Sequence, residues 1–132
     1  MNQENIFKHK VQFIDNVHMD IDSIVEFHGQ HNSDYLVYEY QNNKKESAVF
    51  ITAVDNINKI IGTQALIPYP LNIDGKILLT GRSERSLVAK SYRGAGLFQD
   101  LMEYCAQCGQ EKGLNFIWGT TVLKKAFKRA EF

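Results

Sequence analysis

The chain has 132 residues, and its 15 basic side chains are matched by 15 acidic ones, so its formal net charge is zero. This length suits a single domain, residues 1–132, with a core of its own. Balanced charge gives no overall field that would favour nucleic acid or an anionic membrane as a partner. No apolar run is long enough to span a membrane, and the polar residues Asn2, Gln3 and Glu4 are unlike a signal peptide. We therefore expect a cytoplasmic protein.

The N-terminal third predicts a strand and a helix. Phe7 to Ile14 alternates apolar and polar residues, which is typical of a strand. Asp20 or Asp22 can cap a helix whose apolar residues follow helical spacing until Gly29. Tyr35 to Tyr40 is compatible with either helix or strand.

Three extended segments follow and predict an antiparallel meander. Ala48 to Val54 is an apolar strand, and a polar turn leads to a second strand beginning at Ile60. Pro68 and Pro70 mark an edge, a kink or a bulge in that second segment. Asp74-Gly75 is a two-residue hairpin signal that leads into the third strand, Lys76 to Ala89.

The last third predicts a strand–helix–strand crossover. A helix extends from about Gly94 to Lys112, with Gly113 as its stop. Asn115 to Gly119 is then a buried strand, which we expect to pair parallel to Leu87–Ala89. The fold class is therefore α/β, of the α+β kind, with a sheet that mixes antiparallel and parallel strands.

An Arg-Gly-x-Gly turn occupies the point where the third strand of the meander gives way to the helix. Two glycines let the backbone approach a ligand closely, and the first helical turn offers N–H groups and the positive end of its dipole. Such a turn can hold a phosphate or pyrophosphate. The alternative is an ordinary turn that uses glycine for its geometry alone.

The turn and its flanks, Val88-Ala-Lys-Ser-Tyr-Arg-Gly-Ala-Gly-Leu-Phe98, with the helix, strand and C-terminal tail that follow, resemble the GCN5-related N-acetyltransferase (GNAT) superfamily. The family motif is Arg/Gln-x-x-Gly-x-Gly/Ala, so Arg93 and Gly96 match and Phe98 departs at the last position. The resemblance implies a GNAT-like fold, acetyl-CoA or CoA as the acyl donor, and an unidentified amine as the acceptor.

The resemblance also implies which residues bind the donor. The pyrophosphate would lie on the glycine turn and the pantetheine along the strand before it. Arg93 would either contact a phosphate or have a structural role in the turn. The residues concerned are Leu87, Val88, Ala89, Arg93, Gly94, Ala95, Gly96, Leu97 and Phe98.

Candidates for acid and base are fewer. Glu84 lies four residues before Val88, so on a regular strand the two share a face. This resembles the place from which family members offer a carboxylate base, although a solvated Glu is the alternative. Phe127 stands where the family has the Tyr that acts as general acid. Tyr92 or a water could instead protonate the leaving thiolate, or the thiolate could leave unprotonated.

In the family two further strands follow the position of Phe132. We therefore expect an incomplete domain, little turnover from these residues alone, and a parallel edge at Asn115–Gly119 that favours a homodimer. Three functions stay open: an N-acyltransferase or part of one, a non-catalytic CoA-binding or interaction module on this scaffold, and a plain α/β domain.

Cys105 and Cys108 form the only Cys-x-x-Cys pair. Such a pair can be a redox motif or half of a zinc site. However, there is no second pair, and the motif lies in mid-helix rather than at a helix N-terminus, where a thiolate is stabilised. We expect two packed helix residues and no metal.

Overall fold

The computed structural model describes residues 11–15, 18, 20–29, 36–37, 40 and 48–119. Within them lies a five-stranded mixed sheet with the strand order β1-β2-β3-β4-β5 and helices on both of its faces. The elements in chain order are β1 (Gln12–Ile14), α1 (Ile21–His28), β2 (Val49–Val54), β3 (Ile60–Ile73), β4 (Lys76–Val88), α2 (Leu97–Glu111) and β5 (Ile117–Trp118). The expected α/β fold class is confirmed.

Strands β1 to β4 pair antiparallel, so the predicted meander is confirmed. Asp74 and Gly75 form its tight turn with φ values of 51° and 82°. Positive φ at both central residues is what a type I′ hairpin turn requires.

The two prolines lie within β3, beyond its last pair with β2, Val49 with Leu66. From there no described residue pairs with β3 on that side, and at such an edge the missing proline N–H costs no ladder hydrogen bond. Of the three possibilities at Pro68 and Pro70, the edge is the one observed.

Separate cores cover the two faces of the sheet. On one face α1 packs with Leu36 and Tyr40 against Phe50 and Ala65. On the other face α2 packs through Leu97, Leu101 and Cys105 against alternate residues of β2 and β3. We call these the α1 face and the α2 face.

Capping sets the ends of α1. The Asp20 carboxylate accepts a hydrogen bond from the Ser23 N–H at 3.3 Å, and Gly29 ends the helix in the left-handed region at φ 67°. Both features follow the expected capping pattern. Among the described residues, no helix is long and apolar enough to cross a bilayer.

Helix α2 begins at Leu97, three residues later than predicted. Gly94 and Gly96 have φ values of 82° and 89°, which an α-helix cannot contain, so the helix starts only after Gly96. A 3₁₀ turn, Lys90–Tyr92, fills the interval after β4 and was not predicted. Gly113, at φ 89°, follows the C-terminal end as expected.

Strand β5 is parallel to β4, as predicted, but in a different register. It pairs Ile117 with Gly81 and Trp118 with Arg82. The predicted pairing with Leu87–Ala89 is therefore wrong by about six residues. The short loop after α2 brings the chain back alongside the middle of β4, where the Asn115 N–H donates to the Leu79 carbonyl at 2.8 Å.

Some predictions lie outside the described residues. They are the first half of the strand beginning at Phe7 and the tail that holds Phe127 and Glu131. In the ambiguous Tyr35–Tyr40 stretch, Leu36, Val37 and Tyr40 are helical.

Candidate functional site

A β-bulge interrupts β4 just before the glycine turn. Thr63 pairs with Leu87 and Ala65 pairs with Glu84, so the single residue Gln64 faces two residues of β4, Arg85 and Ser86. Arg85 adopts a left-handed φ of 57°, which costs a residue with a Cβ about 1–2 kcal/mol. The surrounding structure therefore has to hold the bulge in place.

Gln64 holds the bulge from the α2 face. Its side chain is fully buried, and its amide donates to the Ser83 hydroxyl and the Ala65 carbonyl, each at 2.8 Å. Its amide oxygen accepts from the Ser86 hydroxyl. A buried amide satisfied on both its nitrogen and its oxygen fixes the position of the strand beside it.

His28 holds the bulge from the α1 face, through Thr63. The Thr63 hydroxyl donates to the Arg85 carbonyl at 2.6 Å and lies 2.8 Å from His28 Nε2. Because that hydroxyl has a single proton, Nε2 must be the donor to it. Burial, and next the charge of Arg85, lower the pKa of His28 from 6.5 to about 4, so the ring is neutral at physiological pH.

The bulge reverses the face on which Glu84 lies. On a regular strand Glu84 and Val88 would share a face, but the extra residue between them shifts the alternation by one. Val88 packs in the α2-face core, whereas Glu84 meets Tyr40 of the α1-face core. The prediction that Glu84 and Val88 share a face is therefore wrong.

Both carboxylate oxygens of Glu84 have side-chain partners. The Tyr40 hydroxyl donates to Oε1 at 2.5 Å, and the Arg82 guanidinium lies 3.5 Å from Oε2. Tyr40 is 1% exposed and stacks edge-on against Phe50, with ring centroids 5.0 Å apart. Sequence reasoning missed Tyr40, since nothing local pairs it with a residue 44 positions later.

The described pairing of β4 with β5 ends at Arg82 and Trp118. Up to Gly119, the last residue that the structure describes, no residue pairs on this side with the remaining half-dozen residues of β4. An added strand-like ligand would need that stretch of β4 on its β5 side. The Ala89 N–H already donates to the Ile61 carbonyl at 2.8 Å. Because alternate residues of a strand turn their backbone groups to the same side, Leu87 faces β3 as Ala89 does, whereas the Val88 N–H faces the β5 side.

The glycine turn lies directly after this stretch. A Cβ built on Gly94 or Gly96 would meet no atom within 4 Å, so both residues border open space. The exposed Arg93 donates from Nε to the Val88 carbonyl at 2.9 Å and so ties the turn to the end of β4. Leu97 is buried, which anchors the first turn of α2, where helix geometry leaves N–H groups without intrahelical acceptors.

Solved structures share this architecture. An acetyltransferase from Trypanosoma brucei superposes with a TM-score of 0.71 at 20% identity, over 92% of each chain. A predicted acetyltransferase from Clostridium acetobutylicum, solved with acetyl-CoA, gives 0.69 at 17% identity, over 92% of this chain and 89% of the other. A GNAT-family acetyltransferase from Staphylococcus aureus gives 0.65 at 18% identity, over 92% and 78%.

The chain has the GNAT fold. No protein-family model and no curated protein matches its sequence. The likeness is therefore one of architecture at low sequence identity, and it agrees with the resemblance first drawn from the glycine turn and the order of the elements around it.

The GNAT fold does not bring Tyr92 to Glu84 here. Tyr92 lies in the 3₁₀ turn and packs against the α2-face core, while Glu84 lies on the α1 face. The two candidates for acid and base are thus on opposite sides of the sheet.

The cysteine pair is part of the helix packing. Cys105 is fully buried, and burial raises the pKa of its thiol far above the ordinary value. Burial also raises the pKa of the half-buried Cys108 thiol. A raised pKa disfavours the thiolate that redox chemistry or zinc binding needs, and the described residues contain no cluster of potential metal ligands.

Proposed function

We propose that this protein is an acyl-CoA-dependent N-acetyltransferase. The observation that carries the proposal is the order of features along the chain: a bulge in β4, a stretch of β4 beyond its last described pair with β5, and a glycine turn that leads into α2, a helix packed on the sheet. The GNAT fold supports it, as does the C. acetobutylicum neighbour solved with acetyl-CoA.

The donor would bind along the end of β4. The Val88 N–H would hydrogen-bond the pantetheine as an added strand, with Leu87 beside it, and residues 93–98 would hold the pyrophosphate at the N-terminus of α2. Backbone N–H groups and the helix dipole suit an anion there. Arg93 would act mainly by fastening the turn, through its bond to Val88.

Glu84 would act as the general base. The acceptor ammonium gives a proton to the carboxylate, and the amine lone pair attacks the thioester carbonyl carbon. The C–S bond then breaks, and the second proton on nitrogen passes through water to the departing thiolate, so that an amide and CoA thiol result. Tyr40 and Arg82 would orient the carboxylate through its two oxygens. A thiol pKa near ~8.5 makes the thiolate a workable leaving group without Tyr92, and it can take a proton from water.

The test is thiol release from acetyl-CoA with a panel of amines, with the acetylated product confirmed by mass spectrometry. We expect slow but measurable transfer that falls about 10²–10⁴-fold in Glu84→Gln, while acetyl-CoA binding is retained. Glu103→Gln, an exposed residue of α2, is the matched control and should behave as wild type.

Two results distinguish this enzyme from the alternative, a non-catalytic CoA-binding module. Acetyl-CoA binding without acetylation of any amine would replace the enzyme with a CoA-binding module on the same scaffold. Failure to bind acetyl-CoA would contradict both.

A further inference from the structure

An aromatic and basic patch lies next to Glu84, on the α1 face and across three strands. Tyr69 of β3 pairs with Thr80 of β4, and Arg82 of β4 pairs with Trp118 of β5. Tyr69, Arg82 and Trp118 therefore project from neighbouring strands on the face that also carries Glu84. We call these three residues the acceptor patch.

Hydrogen bonds and ring contacts hold the patch in one arrangement. The Trp118 indole N–H donates to the Thr80 hydroxyl at 2.8 Å, and that hydroxyl donates to the Tyr69 carbonyl at 2.6 Å. The Tyr69 and Trp118 rings meet edge to face with centroids 5.2 Å apart. Thr80 itself is fully buried, so it anchors the indole from beneath.

Arg82 is the charged residue of this patch and is partly exposed. Its guanidinium carbon lies 5.8 Å from the centre of the Tyr69 ring, and 43% of its side chain is exposed. Its contact with Glu84 is long, at 3.5 Å, whereas Glu84 itself is only 18% exposed. A guanidinium has five N–H donors in a planar fork, which suits carboxylate and phosphate oxygens.

We propose that the acceptor patch selects amines that also carry an anionic group, a carboxylate or a phosphate. This inference rests on the proposed function and names the acceptor class. The acceptor ammonium would meet Glu84, its anion would meet Arg82, and its apolar body would lie against Tyr69 and Trp118.

Charge complementarity decides the class. Arg82 and Glu84 present one positive and one negative group side by side. An amine with a single positive charge would gain the attraction of Glu84 but meet the repulsion of Arg82. A zwitterionic or anionic amine satisfies both groups, and like-charge contacts at a site of this kind exclude the wrong partner as effectively as attraction selects the right one.

The experiment compares amines that share a body and differ in the anion. One arm uses phenylalanine, phenylalaninamide and phenethylamine, and the other uses O-phosphoethanolamine against ethanolamine, so that carboxylate and phosphate are distinguished. Calorimetry measures binding of each amine with and without CoA, and thiol release measures turnover. Wild type should bind an amine that carries the anion about tenfold or more tightly than the analogue that lacks it.

Variants assign the preference to Arg82. In calorimetry, Arg82→Gln should weaken binding of the anion-bearing amine about 10–100-fold. The analogues without the anion should bind at least as well as they do to wild type, because the repulsion from Arg82 is removed. Arg82→Lys keeps the charge without the fork and should retain part of the preference. Lys76→Gln, an exposed cation at the tip of the β3–β4 hairpin, should change nothing.

Three outcomes would overturn the inference. No amine binds, or wild type binds amines with and without the anion equally, or Arg82→Gln weakens binding of both kinds of amine equally. The last outcome would make Arg82 only a positioning residue for Glu84. Binding of the amines is measured without CoA as well. An Arg82-dependent preference would therefore support the inference even where acetyl-CoA fails to bind, which is the result that contradicts the proposed function.

Discussion

Tyr40 and Glu84 are separated by 44 residues in the chain and meet in a single hydrogen bond of 2.5 Å. Tyr40 is buried against Phe50, so its hydroxyl is held still, and Glu84 sits at the edge of the bulge with its second oxygen near Arg82. A proton acceptor positioned in this way needs little reorganisation when an amine arrives. The pair could not be predicted from sequence, because no local pattern connects a helical tyrosine to a distant strand carboxylate.

Removing the Tyr40 hydroxyl tests this positioning. Tyr40→Phe keeps the ring against Phe50 and removes the hydrogen bond from the hydroxyl to Glu84. We expect the free energy of unfolding to fall by about 1–3 kcal/mol, as for a hydrogen bond to a charged group. We also expect kcat for amine acetylation to fall about tenfold while acetyl-CoA affinity stays unchanged.

Urea unfolding and steady-state kinetics measure the two effects. Tyr104→Phe, on the exposed side of α2 and away from Glu84, is the control for kinetics and should leave kcat unchanged. Unchanged kcat in Tyr40→Phe would show that Tyr40 does not orient the base.

His28 makes the stability depend on pH. Its pKa is about 4 in the folded protein against 6.5 ordinarily, so between these values the unfolded chain binds more protons than the folded one. The stability that the neutral ring contributes is present above about pH 6.5 and lost as the pH falls toward 4. We expect a loss of about 1–2 kcal/mol, less than the pKa difference alone implies, because the ring is only half-buried.

Chemical unfolding at a series of pH values from about 7 down to about 4.5 measures this loss. His28→Gln keeps an N–H donor toward Thr63 and removes the titration, so wild type should lose its advantage over the variant as the pH falls. Parallel pH profiles for the two proteins would contradict the role given to His28.

At the scale of elements, β4 and its bulge determine the site. The strands and the Asp74-Gly75 hairpin were predictable, because alternation and turn residues are local signals. The bulge was not, since its left-handed residue is Arg85 rather than a glycine. It is held by Gln64, Thr63 and Ser86, which come together only after β3 and β4 have paired. A missed bulge shifts the strand alternation by one, which is why Glu84 was assigned to the wrong face.

A pair of substitutions at Arg85 tests the strain in the bulge. Both Arg85→Gly and Arg85→Ala remove the side chain and its charge, and only glycine adopts a left-handed φ without a Cβ clash. Arg85→Gly should therefore be more stable than Arg85→Ala by about 1 kcal/mol in urea unfolding. Equal stability, or a more stable alanine variant, would mean that the backbone at position 85 is not left-handed.

Across the whole molecule, the order of elements was the most predictive property of the sequence. A meander, a glycine turn, a helix and a parallel strand are each common, but in this order they predicted the GNAT fold that the structure has. The register of β5 was not predictable, because the loop that ends α2 sets it through contacts such as Asn115 with Leu79. The face of Glu84 and the acceptor patch depend on that register and on the bulge.

Acetyl-CoA binding to the glycine turn is the central claim, and calorimetry of three proteins tests it most directly. Gly96→Glu puts a side chain and a negative charge into the open space where the pyrophosphate would lie. Gly113→Glu is matched to it: Gly113 has the same φ of 89°, nothing lies within 4 Å of its built Cβ, and it stands at the opposite end of α2. We expect wild type and Gly113→Glu to bind acetyl-CoA with similar affinity and Gly96→Glu to show no binding. Equal binding by Gly96→Glu, or none by folded wild type, would contradict the account.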